Sequence, residues 1–258
     1  MQIQIVTINT WKCDGDYYKR RQLLADQLKT LTPHIIACQE CFLSEDEKVD
    51  TLRFLAEELD MYYHFTPARF KTRLLGNDEV SSYSGLGILS AFPTKVFAEF
   101  DLPFSNADGK RKVQQMIIKV TDQKKLLLTN VHLTHLQNAL ELRKSQLTLI
   151  AQQTTDQNFE YNIICGDFNT TPDSEEILYF KNQTKAIDCY ENGGGKSPRI
   201  SLIENNTERN VDYIFALPAG RLRECPTVTK SATVLNTANE SGIYPSDHFG
   251  ISTTLITA

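Results

Sequence analysis

Twice along this chain an apolar strand, a stretch of helical periodicity and a second apolar strand follow one another. Each time the second strand runs straight into a carboxylate. In the first unit Ile3–Ile8 alternates as a strand, and a helix begins at Asp16, an N-cap residue, with Leu23, Leu24, Leu28 and Leu31 as its apolar stripe. Pro33 ends that helix, because a proline drives the residue before it out of helical geometry. His34–Cys38 then reads as a buried strand, with Glu40 just beyond it. In the second unit Leu126–Leu133 is a strand, and a helix runs from about Asn138 with Leu142, Leu147, Leu149 and Ile150. Asn162–Gly166 is another buried strand, and it delivers Asp167. Strand–helix–strand units that present acids at strand ends are how α/β folds build sites.

Between the units, Ser44-Glu-Asp-Glu47 has the form of a capping box and predicts a helix start. Shorter strand candidates follow at Leu86–Leu89, Val96–Phe100 and Val113–Val120, then at Val211–Leu217, Val228–Leu235 and Gly250–Ile256. Nothing resembles a linker. The expectation is an α/β chain of one domain, residues 1–258, with two sheets and helices outside.

Composition narrows the function classes. With 258 residues, 41% hydrophobic and 23% charged, disorder, collagen-like repeats and coiled coil are excluded. No apolar run approaches the roughly 18–20 residues of a membrane span. A net charge of −5 disfavours gripping nucleic acid through bulk charge, though not through a local basic groove. Met1 leads directly into Gln2–Val6 with neither a basic nor an apolar leader segment. The six cysteines are too irregular for a disulfide scaffold, so a cytoplasmic protein with reduced thiols is expected.

Polar residues recur where the hydrophobic strands end: Asn9, Gln39-Glu40, Asn130 and His132, Asp167 and Asn169, Asp212, and Asp247-His248. Any one of them alone is an ordinary cap or turn former. Together they suggest phosphoester hydrolysis assisted by a hard cation. Mg²⁺ takes oxygen ligands, needs one or two carboxylates, and leaves positions for water and phosphate. Glu40 is the first choice as ligand, helped by Asn9 and Asp247. His248 suits a general base on water, with Asp212 fixing its tautomer. His132 and Asn169 can donate to phosphoryl oxygens, and Asp167 can orient the water or move a proton.

The ordered motifs Thr7-Ile-Asn9, Cys38-Gln-Glu40, Gly85-Leu-Gly-Ile-Leu-Ser90, Asn130-Val-His132, Gly166-Asp-Phe-Asn169, Val211-Asp-Tyr213 and Ser246-Asp-His248 span nearly the whole chain. Taken together they resemble the endonuclease/exonuclease/phosphatase superfamily of deoxyribonucleases, sphingomyelinases and deadenylases. That resemblance implies a four-layered αββα sandwich of two packed mixed sheets, and dependence on Mg²⁺ or Mn²⁺. It also implies Glu40 as metal ligand, Asp167 and Asn169 at the scissile phosphate, and His248 paired with Asp212. His132 and the single tryptophan, Trp11, set the chain apart from apurinic/apyrimidinic endonucleases. Thr170, Thr171 and Val211-Asp-Tyr213 set it apart from inositol polyphosphate 5-phosphatases.

Three readings follow: a phosphodiesterase on nucleic acid or a nucleotide-like compound, a sphingomyelinase-like lipid or small-molecule phosphoesterase, and a non-catalytic binding module. Two basic segments, Arg69-Phe-Lys71-Thr-Arg73 and Lys110-Arg111-Lys112, are placed in loops and offered as phosphate contacts. The alternative for them is a solvated, charge-protected edge. Cys38-Gln-Glu-Cys41 lacks the second pair that a zinc site needs and reads as core. Gly193-Gly-Gly-Lys-Ser197 lacks the strand and helix that would frame a phosphate loop and reads as a mobile surface loop. His34, His64 and His135 read as structural or solvent-facing.

Overall fold

In the computed structural model, which describes residues 1–155, 159–204, 207–219 and 224–256, both repeated units form. The first is β1 (Gln2–Asn9), α1 (Tyr17–Leu31) and β2 (Ile35–Ser44), whose strands pair in parallel from Ile5 opposite Ile35 to Asn9 opposite Gln39. After it come α2 (Thr51–Leu59), the hairpin of β3 (Tyr62–Leu75) and β4 (Asp78–Ser90), then β5 (Thr94–Asp101) and β6 (Lys112–Lys119). The second unit is β7 (Lys125–His132), α3 (Leu140–Thr155) and β8 (Tyr161–Asp167), again parallel, ending with His132 opposite Asp167. The remainder is α4 (Glu175–Thr184), β9 (Ile187–Asp188), α5 (Cys189–Asn192), β10 (Leu202–Glu204), β11 (Thr207–Arg209), β12 (Asp212–Leu217), β13 (Thr227–Val234) and β14 (Gly250–Ile256). One six-stranded sheet has the order β13-β14-β1-β2-β4-β3, the other β5-β6-β7-β8-β12-β9, and β10-β11 is a separate hairpin.

The sheets pack face to face. Ile3, Ile5, Ile35 and Ala37 from one share a buried cluster with Leu126, Leu128, Ile163, Cys165, Ile214 and Ala216 from the other. Side chains on the opposite parity point outward beneath helices. Val6, Ile8 and Ile36 meet Leu24, Leu28, Leu52 and Leu55 of α1 and α2. Ile164, Tyr213 and Phe215 meet Leu147, Ile150, Ile177 and Phe180 of α3 and α4. Both faces of the central strands are thus buried, which is why their sequences are near-continuous apolar runs. The result is the expected four-layered helix–sheet–sheet–helix arrangement.

Asn130 is a polar residue that bridges the layer between the sheets. Asn130 of β7 donates through Nδ2 to the carbonyls of Cys38 and Gly87 at 3.0 Å each, and its Oδ1 accepts from Gln39 Nε2 at 2.8 Å. Buried polar groups must be paired, so this clasp fixes how one sheet sits on the other.

Three expectations are corrected. Ser44 ends β2 rather than opening a helix: its Oγ bonds Asp46 and the Val49 amide, and Asp50 caps α2 by accepting from the amides of Leu52 and Arg53. The Arg69–Arg73 segment is not a loop but part of β3, an edge strand paired with β4. With Thr66 its only buried residue, this edge strand has no buried face and shows no apolar period, so only the Gly76-Asn77 turn signalled the hairpin. The loop after Asn192 is at the surface but partly packed: the Gly193 carbonyl accepts from the Ser231 amide and the Tyr190 ring lies against Gly195, while Gly194 faces open space. All six cysteines are free thiols, Cys38 and Cys41 fully buried. No helix among the described residues is long and apolar enough to cross a membrane.

Candidate active site

The cleft is a continuation of the inter-sheet core. Along β1, Ile3 and Ile5 face the other sheet, and Asn9 follows on the same parity. Leu126, Leu128 and Asn130 lead to His132 in the same way, Ile163 and Cys165 lead to Asp167, and Ala216 and Ile214 lead back to Asp212. The inward faces turn from apolar to polar at one end of the sandwich. There they line a cavity of about 800 Å³ that includes Asn9, Glu40, His132, Asp167, Asn169, Asp247 and His248.

Glu40 breaks this rule. Gln39 takes the in-phase position, fully buried in the Asn130 clasp. Glu40 reaches the cleft because β2 bulges between Cys38 and Cys41, with Glu40 itself left-handed at φ 54°. Such bulges re-aim a side chain at the cost of backbone strain. The kink is held by Thr10, whose amide and hydroxyl both donate to the Gln39 carbonyl, and by the Lys12 amide on the Glu40 carbonyl. Asp167 needs a second special position. A Cβ on Gly166, at φ 141°, would lie 2.0 Å from the Val131 carbonyl oxygen, so glycine alone lets β8 lie this close to β7.

Asp212, fully buried, accepts from His248 Nδ1 at 2.8 Å, leaving Nε2 toward the cleft, 3.9 Å from Asp167 Oδ2. Burial opposes a charged imidazole. The carboxylates of Asp212, Asp167 and Asp247 outweigh it and lift His248 to about 10. Burial, with the nearby Asp212 charge, raises the Asp167 carboxyl. Asp167 is further engaged by Asn9 Nδ2 at 3.1 Å, by the Asn169 amide at 2.9 Å, and by His132 Nε2 at 3.4 Å. His132 is pushed well below its ordinary range, first by burial and then by the positive Arg111 and His248, so it is neutral. The Asn169 side chain donates to the Leu133 carbonyl at 3.0 Å.

The oxygen donors Glu40, Asn9 and Asp247 form a set suited to a hard cation. Burial raises the Asp247 carboxyl, and the negative Glu40 adds to that against the pull of His248. A cation shared by the two would relieve this repulsion. Meanwhile Lys12 Nζ sits 3.0 Å from Glu40 Oε2. Asp167, Asp212 and His248 also place ligand-type atoms within 4.8 Å of one another, but there the Asp212–His248 hydrogen bond already occupies Nδ1.

Of the basic residues, Arg111 lines the cleft, whereas Arg69, Lys71 and Arg73 line an adjoining cavity of about 250 Å³. Residues to which the sequence gave no role complete the site. Ser246 Oγ donates to the Asn9 carbonyl at 2.6 Å, and buried Arg20 bonds the carbonyls of Thr10 and Pro245, tying the loop before β14 to the end of β1. Asp108 is a buried hub that accepts from Arg69 and Arg111 and lies 2.9 Å from His135 Nδ1. As Asp108-Gly109 it reads in sequence only as a turn.

The model of the Endonuclease/Exonuclease/phosphatase family matches residues 6–248. The chain belongs to this family. Among solved structures, an endonuclease/exonuclease/phosphatase family protein from Leptotrichia buccalis C-1013-b is 20% identical, with a TM-score of 0.77 over 99% of this chain and 100% of that one. TDP2 from D. rerio, complexed with single strand DNA product, is 19% identical with a TM-score of 0.74, covering 99% of each chain. A mannosyl-6-phosphatase from Bacteroides thetaiotaomicron VPI-5482 is 17% identical with a TM-score of 0.73, covering 99% of this chain and 100% of that one. No curated protein matches the sequence. At these identities the structural likeness carries the fold, and the family match carries membership in a group of phosphoester hydrolases. Of this family member's polar strand-end residues, Asn9, Glu40, His132, Asp167, Asn169, Asp247 and His248 gather in one cleft with Asp212 behind His248, while Gln39 and Asn130 stay in the clasp between the sheets.

Proposed function

We propose that the chain is a divalent-metal-dependent phosphodiesterase in which water attacks in line, acting on nucleic acid or a nucleotide-like compound. The observation that carries this reading is the Asp212–His248 dyad, aimed with Asp167 into a cleft that also holds Glu40 and Asp247. In this reading residues 1–258 work as one domain, since Asn9 and His248 come from opposite ends of the chain. Glu40, Asn9 and Asp247 would hold Mg²⁺ or Mn²⁺, which when bound supplies Lewis-acid polarisation of the phosphoryl group.

The protein's own groups handle protons and orientation. Asp212 fixes the imidazole through Nδ1, so proton exchange takes place at Nε2. Three carboxylates keep the resting imidazole protonated, and in that form it donates to a phosphoryl oxygen. Asp167, whose carboxyl burial has raised, then takes the proton of the attacking water. Were these carboxylates offset by a cation, His248 would be lowered, and the imidazole, once it had lost its Nε2 proton, could take the water's proton itself, the role expected for it from the sequence. Neutral His132 and the amide of Asn169 are donors toward the phosphoryl oxygens.

The strand geometry favours an anionic substrate over a lipid. Arg69, Lys71 and Arg73 alternate onto the cavity side of β3, while Phe70, its ring tilted against Tyr83, and Leu74 lie on the other side. A relative complexed with single strand DNA product supports the nucleic-acid reading. The test is a substrate panel with Mg²⁺ and Mn²⁺: single- and double-stranded DNA, RNA with a poly(A) tail, sphingomyelin, inositol phosphates and a nitrophenyl phosphodiester. Chelator and Glu40→Gln serve as blanks. Cleavage of a nucleic acid that both blanks abolish is expected, and turnover of no member of the panel would overturn the proposal.

A further inference from the structure

The cavity beside the cleft is a charged compartment of its own. It shares Lys12, Glu40, Arg111 and His132 with the cleft, so the two are continuous. Six of its lining residues are cationic against the two carboxylates of Asp14 and Glu40. Most of those cations are already matched. Lys12 pairs with Asp14 and Glu40, Arg69 and Arg111 share the buried Asp108, and Lys112 pairs with Asp101.

Lys71 and Arg73 are different: neither has a carboxylate partner among the described residues. Lys71 is exposed, with its side chain free at the rim. Arg73 is half-buried and held by neutral oxygens, Nη1 on the Ser82 carbonyl and hydroxyl and Nη2 on the Ser84 hydroxyl at 2.8 Å. Ser84 also lines the cavity. The hairpin register sets Lys71 opposite Ser82 and Arg69 opposite Ser84, which puts these groups on one face. A guanidinium fixed among hydroxyls with no carboxylate in contact, Glu40 and Asp14 acting on it only from farther off, can still take an anionic partner, and a planar, preoriented guanidinium is the side chain best suited to phosphate.

We propose that this compartment is a second-phosphate subsite, in which Lys71 and Arg73 bind a phosphomonoester carried on the nucleotide next to the scissile phosphate. The inference rests on the phosphodiesterase reading and sharpens it: the preferred substrate is a short, terminally phosphorylated single strand or dinucleotide rather than an internal stretch of duplex. The cavity, about 250 Å³, has room for one phosphate with part of its sugar. A terminal phosphate carries more charge than the diester linkages of a long strand, so an unmatched Lys–Arg pair discriminates in its favour. Asp108 acts as a positioning residue, since it holds Arg69 and Arg111 at the mouth between the two compartments.

The probes are the dinucleotide TpT and its two forms phosphorylated at the 5′ or the 3′ end. Each is titrated calorimetrically into the full chain in chelator, so that binding is read without turnover. One phosphorylated form is expected to bind at least about tenfold more tightly than TpT, the scale of two charge-assisted contacts in partly solvated surroundings. The end that carries the preference identifies which side of the scissile linkage faces the compartment. Lys71→Glu changes only an exposed rim residue and is expected to remove most of the preference, and Lys71→Gln/Arg73→Gln to abolish it. Equal affinity for all three dinucleotides, or a preference unchanged in both variants, overturns the subsite. The phosphodiesterase reading is checked apart from it, by TpT cleavage with Mg²⁺. A preserved binding preference without cleavage would overturn that reading alone and support the subsite.

Discussion

Replacing Asn130 by alanine tests how the two sheets are held together. The side chain makes three close hydrogen bonds between strands of different sheets, at 2.8, 3.0 and 3.0 Å, and a longer one at 3.3 Å to Gln114 Oε1. Alanine removes them without admitting water to a layer where neighbouring groups are fully buried. Gln39 Nε2 keeps partial compensation through Thr7 Oγ1 at 3.1 Å, but the carbonyls of Cys38 and Gly87 lose a donor. With about 1–3 kcal/mol for each buried polar group left short of a partner, and partial relaxation, the expected cost is about 2–4 kcal/mol. For a chain of this size that corresponds to a fall in Tm of roughly 5–15 °C. Urea unfolding followed by far-UV circular dichroism and by the fluorescence of the single Trp11 measures it directly. Asn130→Asp sharpens the test. At neutral pH it sets a carboxylate against two carbonyl oxygens, so it should be at least as damaging as alanine, and it should recover as acid restores a donor. An alanine variant within about 0.5 kcal/mol of the parent, the ordinary scatter of surface substitutions, would refute the clasp.

Asp212→Asn should leave a folded protein whose phosphodiester turnover falls by about 10²–10⁴-fold, since the amide no longer stabilises the imidazolium; steady-state kinetics beside a circular dichroism spectrum checks this. Gly166→Ala should prevent folding or cost more than about 4 kcal/mol, because the added methyl lies inside contact distance of the Val131 carbonyl, and soluble yield with thermal melting reads the outcome. His132 is depressed below its unfolded value, so between the two the unfolded chain binds more protons at this residue and, although the raised Asp167 carboxyl works the other way, His132 adds a slope of declining stability as pH drops below about 6.5. His132→Gln should flatten that slope in melts taken from pH 7 to 5. Glu40→Gln should weaken Mn²⁺ binding by at least about tenfold, followed calorimetrically or through Trp11, which lines the cleft.

Much of this molecule was legible because burial on both faces writes itself into sequence. The runs around Ile3–Ile8, Ile35–Cys38, Leu126–Leu133 and Asn162–Gly166 are apolar on both parities, as strands between a sheet and a helix must be. The same alternation carried a signal about Asn130 that its position near a strand end concealed. It shares parity with Leu126 and Leu128, so it belongs between the sheets and not at the cleft. β3 was not legible, because its stability comes from register with β4 and not from a buried face of its own. Asp108 and Arg20 were not legible either. Arg69 on Asp108 and the Pro245 carbonyl on Arg20 are brought close only by the fold, and Arg111, three residues beyond Asp108, lies in a loop with no periodic pattern to mark the pair.

The position of the cleft explains its electrostatics. A site made by extending a dry inter-sheet core inherits that core's low polarisability, so each charge placed there must be met by another protein group. Asp212 and His248 meet one another. Asp167 meets the amides of Asn9 and Asn169 and still has its carboxyl raised. His132 resolves the problem by staying neutral. Glu40, out of phase with the strand that carries it, stands at the margin where Lys12 can balance it or a cation can take that place. An in-phase carboxylate at the Gln39 position would lie fully inside the clasp, beyond the reach of either partner. The bulge in β2 is therefore what makes an exchangeable charge at this site compatible with a core that tolerates none.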